Sequence, residues 1–162
     1  MHEIRKKIIL LGSAGVGKTS LIRQFVVQTF NDNYLSSIGV RVDKKLFETE
    51  NHRVQFMIWD IAGEINSSTL LNNYLNGAAG IFGVFDLTRI DTYYEVLNTL
   101  ANAKRIRPDA RCLILGNKCD LISTSHIDEK IKLDFLTSAK TGKAVNKVFQ
   151  IMAEEVHQQV LV

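Results

Sequence analysis

At 162 residues, 46% hydrophobic and 23% charged with a net charge of +3, the chain fits one globular domain. A domain of that size buries about two thirds of its unfolded surface in one core. The charges are mixed along the chain, which excludes a nucleic-acid-binding stripe, and no apolar run approaches the ~18 residues of a membrane span. Cys112 and Cys119 lack CxxC spacing and the four histidines are scattered, so no disulfide framework or zinc-type ligand set is expected and a reducing compartment is.

Apolar strands alternate with helical patterns from end to end, without repeats, linkers or low-complexity tracts. KKIILLG (6–12) reads as a buried strand, followed by a helix from about Gly17 to Gln28 with Leu21, Ile22, Phe25 and Val26 on one side. VRVDKKLFE (40–48) and RVQFMIWD (53–60) read as strands joined in a hairpin around ETENH. A helix carrying Leu70, Leu71, Tyr74 and Leu75 comes next, then the strand GIFGVFDL (80–87). Tyr93, Val96, Leu97 and Leu100 repeat at i, i+3, i+4, i+7 and predict a second clear helix. RCLILGN (111–117) and the short LDFLTS (133–138) read as strands. A last helix carries Val145, Val148, Phe149, Met152 and Val156. Strands separated by helices imply right-handed crossovers and a mostly parallel sheet covered on both faces. Ligands of such α/β sheets bind outside the carboxyl ends of the strands.

The chemistry-bearing residues fall at those ends. GSAGVGKT (12–19) matches G-x-x-x-x-G-K-[ST] between a strand and a helix. Gly12, Ser13, Ala14, Gly15, Val16, Gly17, Lys18, Thr19 and the adjoining Ser20 are therefore candidates to cradle a phosphate chain. Backbone N–H groups and the helix N-terminus supply positive potential, Lys18 reaches the outer phosphates and Thr19 offers its hydroxyl to Mg²⁺. Asp60 ends an apolar strand, where a carboxylate can hold the same Mg²⁺ directly or through water; alone it would read as a turn or cap residue. Gly63 lets a backbone N–H approach a terminal phosphate. In NKCD (117–120), Asp120 can accept two hydrogen bonds from guanine, from its ring N–H and its amino group. Adenine offers no such pair and would leave a buried carboxylate unsatisfied, which discriminates by ~10⁴-fold. In SAK (138–140), the Ala139 N–H can meet the guanine oxygen, with Ser138 and Lys140 bracing the loop beside Asn117 and Lys118.

In this order GSAGVGKT, SSIG, WDIAGE, NKCD and TSAK resemble the motifs of a small GTPase of the Ras superfamily, over nearly the whole chain. KTSLIRQFVVQTFNDNYLSSIGV is most similar to the Rab branch. The resemblance implies a P-loop NTPase three-layer sandwich, with a six-stranded mostly parallel sheet, five helices and helices on both faces. It implies GTP/GDP and Mg²⁺ as ligands. It also implies that Phe30 packs edge-on against guanine, that Ser37 joins Thr19 and Asp60 on Mg²⁺ in the GTP state, and that Tyr34 covers the phosphates. The expected catalytic set is Lys18, Ser37, Gly63 and Glu64.

Several positions depart from the family's pattern. Glu64 stands where the family has the glutamine that orients the attacking water. A second negative charge beside the terminal phosphate costs several kcal/mol unless it swings away or takes a proton, so intrinsic hydrolysis is expected to be slower still. The alternatives are that Glu64 only favours the start of the next helix, or serves as a general base. Ala14 replaces a Ras-branch glycine, and QTFNDNYLS before Ser37 holds no arginine to act in cis. Ser37 replaces threonine, losing the methyl that restricts its rotamer. Arg41 and Val42 alter IGVDF to IGVRV, changing a partner-binding surface. Residues 121–137 leave room for at most a helical turn or two where the family has a full helix.

The expected function is a GTP/GDP-regulated switch, within one domain over 1–162, that hydrolyses GTP slowly. It presents 28–43 and 60–76 to effectors, exchange factors and GTPase-activating proteins, which can supply arginine and glutamine in trans. The alternative is a GTP-binding interaction module with negligible turnover; NKCD and SAK disfavour an ATP-using enzyme. MHEIRKK has no apolar signal core, residue 2 is His and QQVLV has no cysteine. A cytoplasmic monomer without an intrinsic lipid anchor, peripheral to membranes only through partners, is therefore expected.

Overall fold

A computed structural model describes residues 2–26, 34–35, 40–48, 52–61 and 68–158. The chain runs β1 (His2–Leu11), α1 (Lys18–Val26), β2 (Tyr34–Leu35), β3 (Val40–Glu48), β4 (His52–Ile61), α2 (Ser68–Leu75), β5 (Ala78–Asp86), α3 (Ile90–Ile106), β6 (Arg111–Asn117), β7 (Phe135–Leu136) and α4 (Val145–Gln158). The six expected strands are present, and Tyr34–Leu35 adds a two-residue strand at one edge, giving the order β2-β3-β4-β1-β5-β6-β7. Only β2–β3 and β3–β4 pair antiparallel; β4-β1-β5-β6-β7 are parallel.

Alternation along β1 sends its side chains to opposite faces, and each face meets helices. Ile8 and Leu10 join Phe82, Val84 and Leu115 under α1 and α4, where Leu21, Ile22, Phe25, Val148, Phe149 and Met152 are buried. Phe25 stacks on Phe149 with centroids 4.0 Å apart, tying the two helices together. On the other face, Ile9 and Leu11 meet Leu71, Leu75, Tyr93, Val96 and Leu100 of α2 and α3. Fully burying each such side chain contributes about 1.5–3 kcal/mol, so these two apolar layers fix the sandwich.

Two local expectations change and a third holds. Leu70 is exposed rather than core-facing, since only Leu71, Tyr74 and Leu75 of α2 turn inward. β7 shrinks to two residues, because the Asp134 carboxylate accepts from the Ile114 N–H and takes over the ladder there. Between the 3-10 turn Cys119–Leu121 and β7 the chain forms no helix beyond the 3-10 turn Thr124–His126, in agreement with the short flank read from the sequence. The described residues therefore hold four α-helices, one fewer than the resemblance implies.

Candidate nucleotide site

The loop from Gly12 to Gly17 leaves β1 and enters α1 against the ends of β5 and β6. Two positions admit only glycine. A Cβ on Gly12 would lie 2.3 Å from the Val84 carbonyl oxygen, and one on Gly17, at φ 105, would lie 2.2 Å from Asn117 Nδ2. Ala14 and Gly15 are exposed on the loop, Val16 is buried beneath it, and Ser20 is exposed on the first turn of α1. The Ser13 hydroxyl donates to the Glu95 carboxylate of α3.

Lys18 is buried at the head of α1 and donates to the Gly12 carbonyl. Burial pushes its pKa down and the Asp60 charge opposes that. An ammonium so desolvated is favourable only beside more negative charge, which a phosphate supplies. The Thr19 hydroxyl donates to Asp60 Oδ2, while the buried Oδ1 has no hydrogen-bond partner among the described residues. An orphaned carboxylate oxygen beside a hydroxyl is the hard-oxygen donor set that Mg²⁺ takes. The residues present fit that ion.

The NKCD and SAK loops sit at the ends of β6 and β7. Asn117 is buried; its Nδ2 donates to the Val16 carbonyl at 2.9 Å and its Oδ1 accepts from the Thr137 hydroxyl at 3.1 Å. Lys118, in the left-handed region at φ 66, donates to the Gly15 carbonyl at 2.9 Å and to Asp86 Oδ2 at 2.7 Å. Asp120 Oδ1 accepts from Ser138 Oγ at 2.7 Å, and the Thr141 N–H donates to that same hydroxyl oxygen at 3.1 Å. Asp120 is exposed rather than buried. Ala139 is half-buried and Lys140 exposed along the same loop.

Asp86 was not read from the sequence, although β5 ends on it and Asp60 stands one residue before the end of β4. Burial pushes its pKa up, but hydrogen bonds from Lys118, from the Thr88 hydroxyl and N–H, and from Arg89 outweigh that and hold it at about 2. Thr137 and Arg89 were also missed; Thr137 lies next to SAK, while Arg89 carries no sequence signal.

Arg41 lies next to the strand end that carries Asp60. Its side chain is 20% exposed and pairs with the buried Asp43 at 3.3 Å. The β3–β4 register sets Arg41 opposite Asp60, on the face where Asp60 meets Thr19 of α1. Burial raises the pKa of Asp43, which Arg41 opposes and Asp60 reinforces. Phe30, Ser37, Gly63 and Glu64 lie outside the described residues, as do parts of 28–43 and 60–76. Tyr34 is placed by its backbone alone, opposite Val42 in β3.

A phosphate loop bonded to an NKxD loop at the carboxyl edge of such a sheet defines a P-loop guanine-nucleotide-binding protein. The family model described as Ras family matches residues 7–158. The chain is 32% identical to Ras-related protein Rab-1C of Dictyostelium discoideum, over 96% of this chain and 82% of that relative. It is also 32% identical to Ras-related protein Rab-13 of Canis lupus familiaris, over 93% of this chain and 79% of the relative. The same identity holds for Ras-related protein Rab-8A of Bos taurus, over 93% and 77%. The chain belongs to the Ras family and is Rab-like within it. Among the described residues no helix is long and apolar enough to cross a membrane.

Proposed function

We propose that this chain is a guanine-nucleotide switch that binds GTP or GDP with Mg²⁺ and hydrolyses GTP slowly. The observation that carries this reading is the bonding of the two loops. Asn117 and Lys118 of the guanine-reading stretch donate directly to the Val16 and Gly15 carbonyls of the phosphate loop. A base held by one loop is thereby placed at a set distance from phosphates held by the other, and orientation of this kind supplies much of a phosphoryl-transfer enzyme's advantage.

The Asp120 carboxylate accepts from the guanine ring N–H and amino group, and the Ala139 N–H meets the guanine oxygen. Ser138 holds Asp120, and Lys140 braces the loop. Phe30 borders the base and Tyr34 covers the phosphates. Lys18 neutralises the outer phosphates, and the N–H groups of 13–20 surround the chain of oxygens. Thr19, Ser37 and Asp60 hold the Mg²⁺, which when bound neutralises charge on the phosphate oxygens. The Gly63 N–H meets the terminal phosphate, and its ordering there couples nucleotide state to the 28–43 and 60–76 segments. Those segments meet effectors, exchange factors and GTPase-activating proteins. The partners give a monomeric chain a peripheral, Rab-like role in vesicle trafficking.

Glu64 sets the rate, since a carboxylate in the water-orienting place repels the terminal phosphate and cannot donate a hydrogen bond. The test is single-turnover GTP hydrolysis with Mg²⁺ for wild type beside Glu64→Gln. A ~10-fold or greater acceleration, about 1.4 kcal/mol of barrier, makes Glu64 a brake. Equal, appreciable rates overturn the brake. A second reading, a GTP-binding interaction module, is favoured by the same residue; negligible turnover in both proteins with tight GTP binding supports it.

A further inference from the structure

Three consecutive carbonyls of the phosphate loop are held from outside it. Ala14 accepts from Arg89 Nη2 at 3.1 Å, Gly15 from Lys118 Nζ at 2.9 Å and Val16 from Asn117 Nδ2 at 2.9 Å. No peptide in the described chain is cis, and in a planar trans peptide the N–H points opposite to the C=O. Turning carbonyls 14, 15 and 16 toward these donors therefore turns the N–H groups of Gly15, Val16 and Gly17 to the other, concave side. Successive N–H groups facing one concavity form an anion-binding nest.

Two of the three holding groups belong to NKCD; Arg89 belongs to no motif. It stands just before α3 and its guanidinium works as a fork. Nε pairs with Asp86 Oδ2 at 3.2 Å, and Nη2 reaches the Ala14 carbonyl. Asp86 is 1% exposed and is fixed in turn by Lys118 at 2.7 Å and by the Thr88 hydroxyl at 2.6 Å. One arm is thus anchored in a buried carboxylate and the other grips the loop. The guanidinium lies 3.3 Å from where a side chain on Gly15 would begin, so it packs against the peptide it holds. A lysine would supply one point charge, whereas the rigid fork sets the spacing between the end of β5 and the loop.

We infer that Arg89 is a positioning residue of the nucleotide site, aiming the Gly15 N–H at the phosphates beyond the first. This rests on the guanine-nucleotide reading above. Its consequence is selective: a nucleoside di- or triphosphate depends on Arg89, and a monophosphate, which leaves that part of the nest unfilled, does not.

The test uses the full chain as wild type, Arg89→Ala and Arg89→Lys. GDP and GMP affinities are measured by competition against a fluorescent GDP analogue, with thermal unfolding alongside. Arg89→Ala is expected to weaken GDP by roughly 5- to 10-fold, the loss of one charge-assisted hydrogen bond at a half-exposed site, with GMP changed by less than about 2-fold. Arg89→Lys keeps the charge pair with Asp86 and is expected to restore the unfolding temperature while leaving GDP weakened. Unchanged GDP affinity in both variants overturns the inference. So does a parallel fall for GDP and GMP, which marks general loosening. A wild type that binds neither nucleotide overturns the guanine reading as well, and is distinguishable from the other results because it precedes any substitution.

Discussion

Removing the Asn117 carboxamide tests whether the phosphate loop and the base-reading loops are held as one body. The side chain is 1% exposed, donates to Val16 at 2.9 Å and accepts from Thr137 at 3.1 Å. Asn117→Ala strands the Val16 carbonyl and the Thr137 hydroxyl, both buried; each orphaned group costs about 1–3 kcal/mol. The expected loss is about 2–4 kcal/mol of unfolding free energy in urea, with GDP and Mg²⁺ fixed in concentration because bound ligand adds its own stability. Thr137→Val alone strands only Asn117 Oδ1 and is expected to cost about 1–2 kcal/mol. In the double variant no hydroxyl remains to be orphaned, so its cost is expected to fall about 1 kcal/mol short of the sum. Additivity within about 0.3 kcal/mol would refute the coupling and the reasoning from burial behind it.

The pH dependence of stability is expected to report Asp86. A pKa of about 2, against an ordinary 3.8, means its contribution is fully present above 3.8 and is lost as pH falls through about 2. That difference is worth about 2 kcal/mol. Asp86→Asn is expected to be less stable by about that amount at pH 7 and to lose this part of the acid slope, measured by urea unfolding from pH 7 to pH 2; superimposable curves would contradict it. For Glu64→Gln, single-turnover GTP hydrolysis is expected to rise ~10-fold or more, and an unchanged rate would leave Glu64 as a helix-start residue.

Much of the architecture was legible because burial imposes a period. β3 and β6 match their expected bounds, β3 through the apolar/polar alternation at its start and β6 through its apolar run CLILG between polar ends. The phosphate and NKxD loops were legible because glycine and a terminal carboxylate are costly at strand ends without a ligand. By the same rule Asp86 was readable, as β5 ends on a carboxylate, yet no flanking motif drew attention to it. Arg89 and the inward turn of Arg41 were not readable. Each depends on register or on a loop closing across the sheet, and neither leaves a trace in local spacing. Leu70 shows the limit of helical periodicity, because an apolar residue at the margin of a stripe can face either way. The shortened 121–137 flank was legible from length alone, since a chain that short cannot hold a full helix and still reach β7.

The most direct measurement of the central claim is displacement of a fluorescent GDP analogue by GDP, ADP and XDP, on wild type and on Asp120→Asn. Guanine presents two donors to a carboxylate, whereas xanthine presents a donor and an acceptor that suit a carboxamide. Wild type is expected to prefer GDP over ADP by ~10⁴-fold, and Asp120→Asn to lose GDP and gain XDP. Equal displacement by ADP and GDP, or an Asp120→Asn protein with unaltered GDP preference, would contradict the account.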